Sequence, residues 1–386
     1  MRKFNIFLIA LIALTINSCA TSNIFAPIGT NIAAPNGIVI DSANNKLYLI
    51  NSNSTVLYRW EEGSIQILDI TNPLSPVLEN TVQTVSFSGQ AILDQTRNLL
   101  YTSNRYSENS ATMDDQLLVM NTDANSADFL TVTDSATSKD PYGLACCYPA
   151  DRMWIANEDN VLEYKDLGPL TSGTIDLLQP LSNGSSLASA EASFIALNGS
   201  QAYLPRIRDG LMVVNLDEAG DTTKNALDYL ITDINDPQGI VVVQTPNGTR
   251  VGVVSEDNID GNWTPIFYVL DLTSLTPLTD NTETTVLDKD EDALLVATIV
   301  VGKQPETAFA TTNYVFVSSK EEDLITVLDI NNDFAKIKDI AVGEEPFGMA
   351  LYAPGGNEQY VYVGNVISNT LSIIDLNTLE VVATYP

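Results

Sequence analysis

No histidine occurs among the 386 residues, so any chemistry must rest on carboxylates, hydroxyls and thiols. A Ser-His-Asp triad cannot form without one, and His-ligated zinc, copper or haem sites are equally unavailable. Carboxylates are abundant: 49 Asp and Glu stand against 18 Lys and Arg, for a net charge of −31. Glu158, Asp159 and Glu256, with Arg206 as cation, are groups that carboxylate-based hydrolysis could use if the fold gathered them. Their spacing does not require that gathering. The negative excess repels nucleic-acid phosphates and anionic headgroups. Cations, basic proteins and neutral ligands remain as partners, and solubility is the simplest meaning of the charge.

Calcium is the cation such acidity suits. Glu256-Asp257-Asn258-Ile259-Asp260-Gly261 resembles the start of a calcium loop. It opens on Glu, however, and its twelfth position is Phe267, where a bidentate Glu is needed. Asp288-Lys289-Asp290-Glu291-Asp292 lacks the turn Gly. Neither is an EF-hand. A looser oxygen-ligand calcium site stays open, against the plainer reading of solvated loop charge. Cys146 and Cys147 are adjacent. A regular strand would point them to opposite faces, so a vicinal disulfide would need a distorted peptide. An oxidising compartment could still pair them.

The N-terminus reads as a targeting segment. Arg2 and Lys3 precede an apolar run from Phe4 to Ile16, which is short for a bilayer span. Ile16-Asn17-Ser18-Cys19 follows and resembles the lipobox of bacterial lipoproteins, with Asn17 departing from the usual residue. That resemblance implies cleavage before Cys19 and its lipidation. Two or more acyl chains there would anchor the protein stably. Ala20 after the Cys implies the outer membrane. The expected organisation is a signal peptide over 1–18, a lipidated Cys and tether over 19–34, and a folded body over 35–386. The body is expected in the cell envelope, touching the membrane only through its lipid.

The elements that must position any site repeat along that body. Residues 346–386 hold four short β-rich runs, opened by Pro346-Phe347-Gly348 and separated by turn residues. Earlier segments repeat the pattern. KLYLIN (46–51), LLYTSN (99–104), MWIAN (153–157), AYLPR (202–206), RVGVVS (250–255) and YVFVSS (314–319) match its second strand. An Asx residue closes the third strand at 69, 121, 166, 215, 271, 329 and 375, at spacings of 45 to 58 residues. That spacing suits one four-stranded blade per repeat. The predicted fold is all-β: a seven-bladed β-propeller of four-stranded antiparallel blades.

The pattern PxGxA…lYVxN…lsIID, nearest to consensus in the last two repeats, resembles the YVTN-type β-propeller repeat. ITNPLSPVL (70–78) is similar to a related repeat of bacterial surface propellers. The resemblance covers nearly all of 35–386 and specifies a fold rather than a reaction. It implies surface-layer proteins, binding or scaffold modules, and a few redox or lactonase enzymes as relatives. Because the last repeat is complete, ring closure is expected from packing of blade seven on blade one, or from an extra strand within 24–32.

Long second-to-third-strand loops are expected at about 52–64, 105–116 and 256–265. They carry Tyr58, Trp60, Tyr106 and Trp263, with Arg206 and Arg208 as cations of the same face. Aromatic anchors on long loops of a rigid scaffold suit binding. The expected function is a non-enzymatic binding or scaffold lipoprotein taking a protein or carbohydrate ligand, with no cofactor. A carboxylate or divalent-ion hydrolase and a structural surface module are the alternatives.

Overall fold

The computed structural model describes residues 29, 31–53, 63–84, 88–104, 116–137, 139–149, 151–167, 171–219, 224–259, 262–279 and 281–386. Blade one contains β1 (Pro35–Asp41), β2 (Lys46–Asn51), β3 (Ser64–Asp69) and β4 (Val77–Gln83). Blade two contains β5 (Ser88–Asp94), β6 (Leu99–Asn104), β7 (Gln116–Asn121) and β8 (Val132–Ala136). Blade three contains β9 (Leu144–Cys146), β10 (Arg152–Ala156), β11 (Val161–Asp166) and β12 (Ser172–Asp176). Blade four contains β13 (Ala196–Asn198), β14 (Gln201–Pro205), β15 (Asp209–Asn215) and β16 (Leu227–Asn235).

Blade five contains β17 (Pro237–Thr245), β18 (Gly248–Ile259) and β19 (Asn262–Leu270). Its chain then leaves to form β20 (Thr285–Asp288) before returning as the fourth strand, β21 (Leu295–Val300). Blade six contains β22 (Pro305–Ala310), β23 (Tyr314–Ser319), β24 (Leu324–Asp329) and β25 (Ala335–Ala341). Blade seven contains β26 (Pro346–Tyr352), β27 (Tyr360–Asn365), β28 (Thr370–Asp375) and β29 (Glu380–Tyr385). Within each blade the four strands pair antiparallel, and the first strands of neighbouring blades touch around the axis. The fold is a seven-bladed β-propeller.

Strand alternation builds the core. Leu47 and Leu49 of β2 face blade seven, whereas Tyr48 and Ile50 face blade two. The same period of two sends Met153 and Ile155 toward blade two but Trp154 and Ala156 toward blade four. Seven apolar layers result, one between each pair of adjacent blades. Both faces of a blade are covered this way, so its middle strands are nearly continuous runs of buried residues.

The third-strand Asx residues have a physical task. Oδ1 accepts the amide two residues ahead at Asp69, Asn121, Asn215, Asp271, Asp329 and Asp375, over 2.7 to 3.1 Å. Each such bond starts the turn toward the outer strand. Asp166 differs: it accepts from Arg152 Nε and Thr171 Oγ1, each at 2.7 Å.

Blade seven packs directly on blade one. Tyr352 donates to Asn45 Oδ1 at 2.7 Å, and Tyr362 donates to the Pro73 carbonyl at 2.6 Å. Gly348 lets the two inner strands meet, since a Cβ there would lie 2.5 Å from the Asn36 carbonyl oxygen. The described residues just before β1 form no strand. Ile32 instead plugs the layer between blades seven and one, and Gln66 Nε2 donates to the Asn31 carbonyl at 2.9 Å.

The strand exchange at β20 was not legible in the repeat pattern. β20 leaves blade five and pairs parallel with β16, giving blade four a fifth strand. It covers an outer edge that would otherwise show unpaired backbone.

Candidate functional site

The channel mouth is shaped by bulges. In blades one, two, five, six and seven the inner strand slips register just after its first residue. A bulge leaves residues unpaired and re-aims their side chains. The residue before the opening proline also has positive φ in five blades, at Ala34, Asp140, Asp236, Gln304 and Glu345. These backbone turns bring the chain from each blade's rim to the axis.

Three aromatic rings from blades three, four and seven meet across that axis. Tyr142 lies 5.4 Å from Phe194 and 6.4 Å from Phe347, centroid to centroid, both edge to face. Phe194 and Phe347 are 6.5 Å apart. Blades three and seven are not neighbours in the ring, so the cluster bridges the channel. Below Phe347 lies a cavity of about 230 Å³ between blades six, seven, one and two.

Beside the cluster, Glu306 faces Lys320 at 3.9 Å, and Lys320 faces Glu345 at 3.7 Å. Burial pushes the Glu306 carboxyl above its ordinary range. Lys320 opposes the rise, while Glu345, Asp236 and Glu256 add to it. Protein surrounds Glu306 closely, yet about a quarter of its side chain (26%) still meets solvent at the mouth.

Several loop-face carboxylates hold backbone. Glu256 Oε1 accepts the Gln304 amide at 3.0 Å, and Asp323 Oδ1 accepts the Glu345 amide at 3.1 Å. Glu322 Oε2 accepts the Lys303 amide at 3.1 Å. They tie the links between blades to the second-to-third-strand connections. Sequence spacing could not reveal this, because the donors lie 19 to 48 residues away.

Residues 256–265, expected as a long loop, are largely paired strand. β18 and β19 stay in register out to Ile259 and Asn262. The segment resembling a calcium loop is therefore extended backbone from Glu256 to Ile259. Asp257 is buried there and accepts from Asn235 Nδ2 and Tyr268 OH. Trp263, paired with Asn258 across the hairpin, is 64% exposed. Tyr58, Trp60, Tyr106 and Cys19 lie outside the described residues.

Arg206 is less available than expected. Its Nε donates to the Ser189 carbonyl at 2.9 Å, and its guanidinium pairs with Asp209. Burial lowers its pKa, and neighbouring Arg208 adds to that. Arg208 is exposed, with φ of 94°. Arg206 and Asp233 line a second cavity of about 310 Å³, between blade four and β20. The structure joins Cys146 and Cys147 by a disulfide across a cis peptide, where β9 ends.

Among the described residues, one acidic group has metal-like spacing: Asp233, Asp288 and Asp290. Lys289 already supplies its positive charge, donating to Asp233 and Asp290 at 2.8 Å each. Burial alone would lower the lysine pKa, but these two hydrogen bonds outweigh it and raise the ammonium above its ordinary value.

No protein-family model and no curated protein matches this sequence. Among solved structures, the chain is similar to the computationally designed Ika8 protein, with a TM-score of 0.54 at 10% identity. The match covers 93% of this chain and 89% of that one. At that identity the likeness shows the β-propeller fold alone.

Proposed function

We propose that this chain is a lipid-anchored envelope protein whose propeller binds or scaffolds a protein or carbohydrate partner through its loop face. The observation that carries the reading is Trp263, 64% exposed on an arm whose two strands pair out to Ile259 and Asn262. A large aromatic presented to water on a paired strand arm suits a binding anchor rather than a core residue. Of the carboxylates weighed for hydrolysis, Glu256 is engaged in holding the Gln304 backbone amide, which favours binding over catalysis. The YVTN-type repeat and the lipidation of Cys19 belong to the same proposal and rest on sequence resemblance.

The test is crosslinking capture from detergent-extracted envelopes. Trp263→Ala should lose the captured partner while the fold persists. Equal capture by wild type and variant would overturn the loop-face assignment. Cys19→Ser should separately release the protein from membranes, and retention by the membrane fraction would refute the anchor.

A further inference from the structure

The cavity below Phe347 has an unusual lining. No ionisable side chain contributes to it. Phe309, Phe347 and Met349 form apolar surface, while Asn36, Gln90 and Thr307 bring polar groups. Asn36 is 7% exposed and has no side-chain hydrogen-bond partner among the described residues. Its carboxamide is not sealed in protein, so it meets water in the empty protein and is free to exchange that water for a ligand's hydroxyl. Gln90 uses Oε1 to accept the Leu144 amide at 3.2 Å, and its NH2 likewise finds no partner among the described residues. Thr307 is committed: its hydroxyl donates to the Phe347 carbonyl at 2.8 Å, which holds that residue over the cavity.

These features share one origin. Asn36, Gln90, Thr307, Phe347 and Gly348 all fall in or beside the inner-strand bulges of blades one, two, six and seven. The bulges take Asn36, Gln90, Thr307 and Phe347 out of the regular strand ladder, and all four border the same cavity. Its volume, about 230 Å³, falls below the roughly 300–1,000 Å³ of pockets for drug-sized ligands, so an occupant must be small. That accommodates a single six-membered ring bearing hydroxyls.

We infer that the channel binds a neutral, monosaccharide-sized polyol, with its hydroxyls on Asn36 and Gln90 and its C–H face on Phe347. Neutrality follows from the lining, which offers no counter-charge. An acidic sugar would be further disfavoured by Glu306, Glu345, Asp236 and Glu256 around the mouth. This site is separate from the loop-face hairpin, and its failure leaves the loop-face reading untouched.

Saturation-transfer NMR on the folded protein tests it, with glucose, galactose and mannose as neutral probes and glucuronate as the charged one. A neutral sugar should receive saturation at millimolar concentration, and glucuronate should not. Asn36→Leu should weaken binding about tenfold, the loss expected for a hydrogen bond made in a desolvated site. Its melting temperature should be unchanged, because Asn36 holds no other part of the protein. Gln90→Met should weaken binding similarly, and Trp263→Ala should leave it intact. The inference is overturned if no neutral sugar binds, if glucuronate binds equally well, or if binding survives both channel substitutions.

Discussion

Lys289 Nζ lies 2.8 Å from Asp233 Oδ2, and this contact fastens the blade-five crossover onto the outer strand of blade four. The lysine is 5% exposed, whereas Asp233 is 55% exposed, so the bond runs from a buried cation to a solvated anion. Tyr268 lies beneath the ammonium, 5.0 Å from it to the ring centroid.

Replacing this lysine should expose what it neutralises. Lys289→Met is expected to cost about 1 kcal/mol, a value discounted for the half-exposed carboxylates it pairs with. Calcium should leave the wild-type melting temperature unchanged but raise that of the variant, whose Asp233, Asp288 and Asp290 then lack a counter-charge. Differential scanning fluorimetry with and without calcium measures both. A calcium shift in the wild type would show that the ammonium yields to the ion.

Asp228 should make the same crossover more stable in mild acid than at neutral pH. Its carboxyl is fully buried, accepts the Leu278 amide at 2.9 Å, and is pushed up by burial from 3.8 to about 6. The Leu278 and Asn281 hydrogen bonds oppose the rise, and Glu218 adds to it. A folded pKa above the unfolded one means that the folded state holds more protons between pH ~4 and ~6. Its stability contribution is therefore full below about pH 4 and lost as pH rises through about 6. Asp228→Asn should melt higher than wild type at pH 7, and the gap should close on acidification. A gap that stays constant across that window would rule out this titration.

Ring closure should be intolerant of one methyl group. Gly348→Ala places a Cβ against the Asn36 carbonyl, a backbone atom that cannot rotate away. Overpacking of this kind costs about 1–3 kcal/mol. Urea denaturation should show a lower midpoint, whereas Gly184→Ala, with nothing within 4 Å, meets only its own backbone penalty at φ 78°. Equal stability of Gly348→Ala and wild type would mean that the two inner strands separate easily.

Trp263→Ala should separate function from stability. An exposed surface side chain ordinarily changes stability by less than about 0.5 kcal/mol. The variant should unfold with the wild type in urea yet lose its envelope partner. Parallel loss of both would make Trp263 part of the fold instead.

Much of the fold could be read locally. β2, β6, β23 and β27 stand where alternating apolar runs end in Asn or Ser, and most third strands end at their Asx residue. Those signals need only a strand's own residues and an amide two positions ahead. The candidate site was less legible for the same reason. Glu256 looked like a ligand on a loop, but its partner is an amide 48 residues away. β20 has ordinary strand residues, yet nothing local says that it pairs with β16 of the preceding blade.

The sequence by itself determined the number of blades, their strand order and the absence of histidine chemistry, because each is written in repeat period or composition. Only the tertiary structure decided which side chains share the axis. Tyr142, Phe194 and Phe347 span more than 200 residues of chain and meet because ring closure brings blades three, four and seven to one centre. Asn36 and Gln90 lie 54 residues apart and likewise border one cavity only because ring closure sets blades one and two beside blades six and seven.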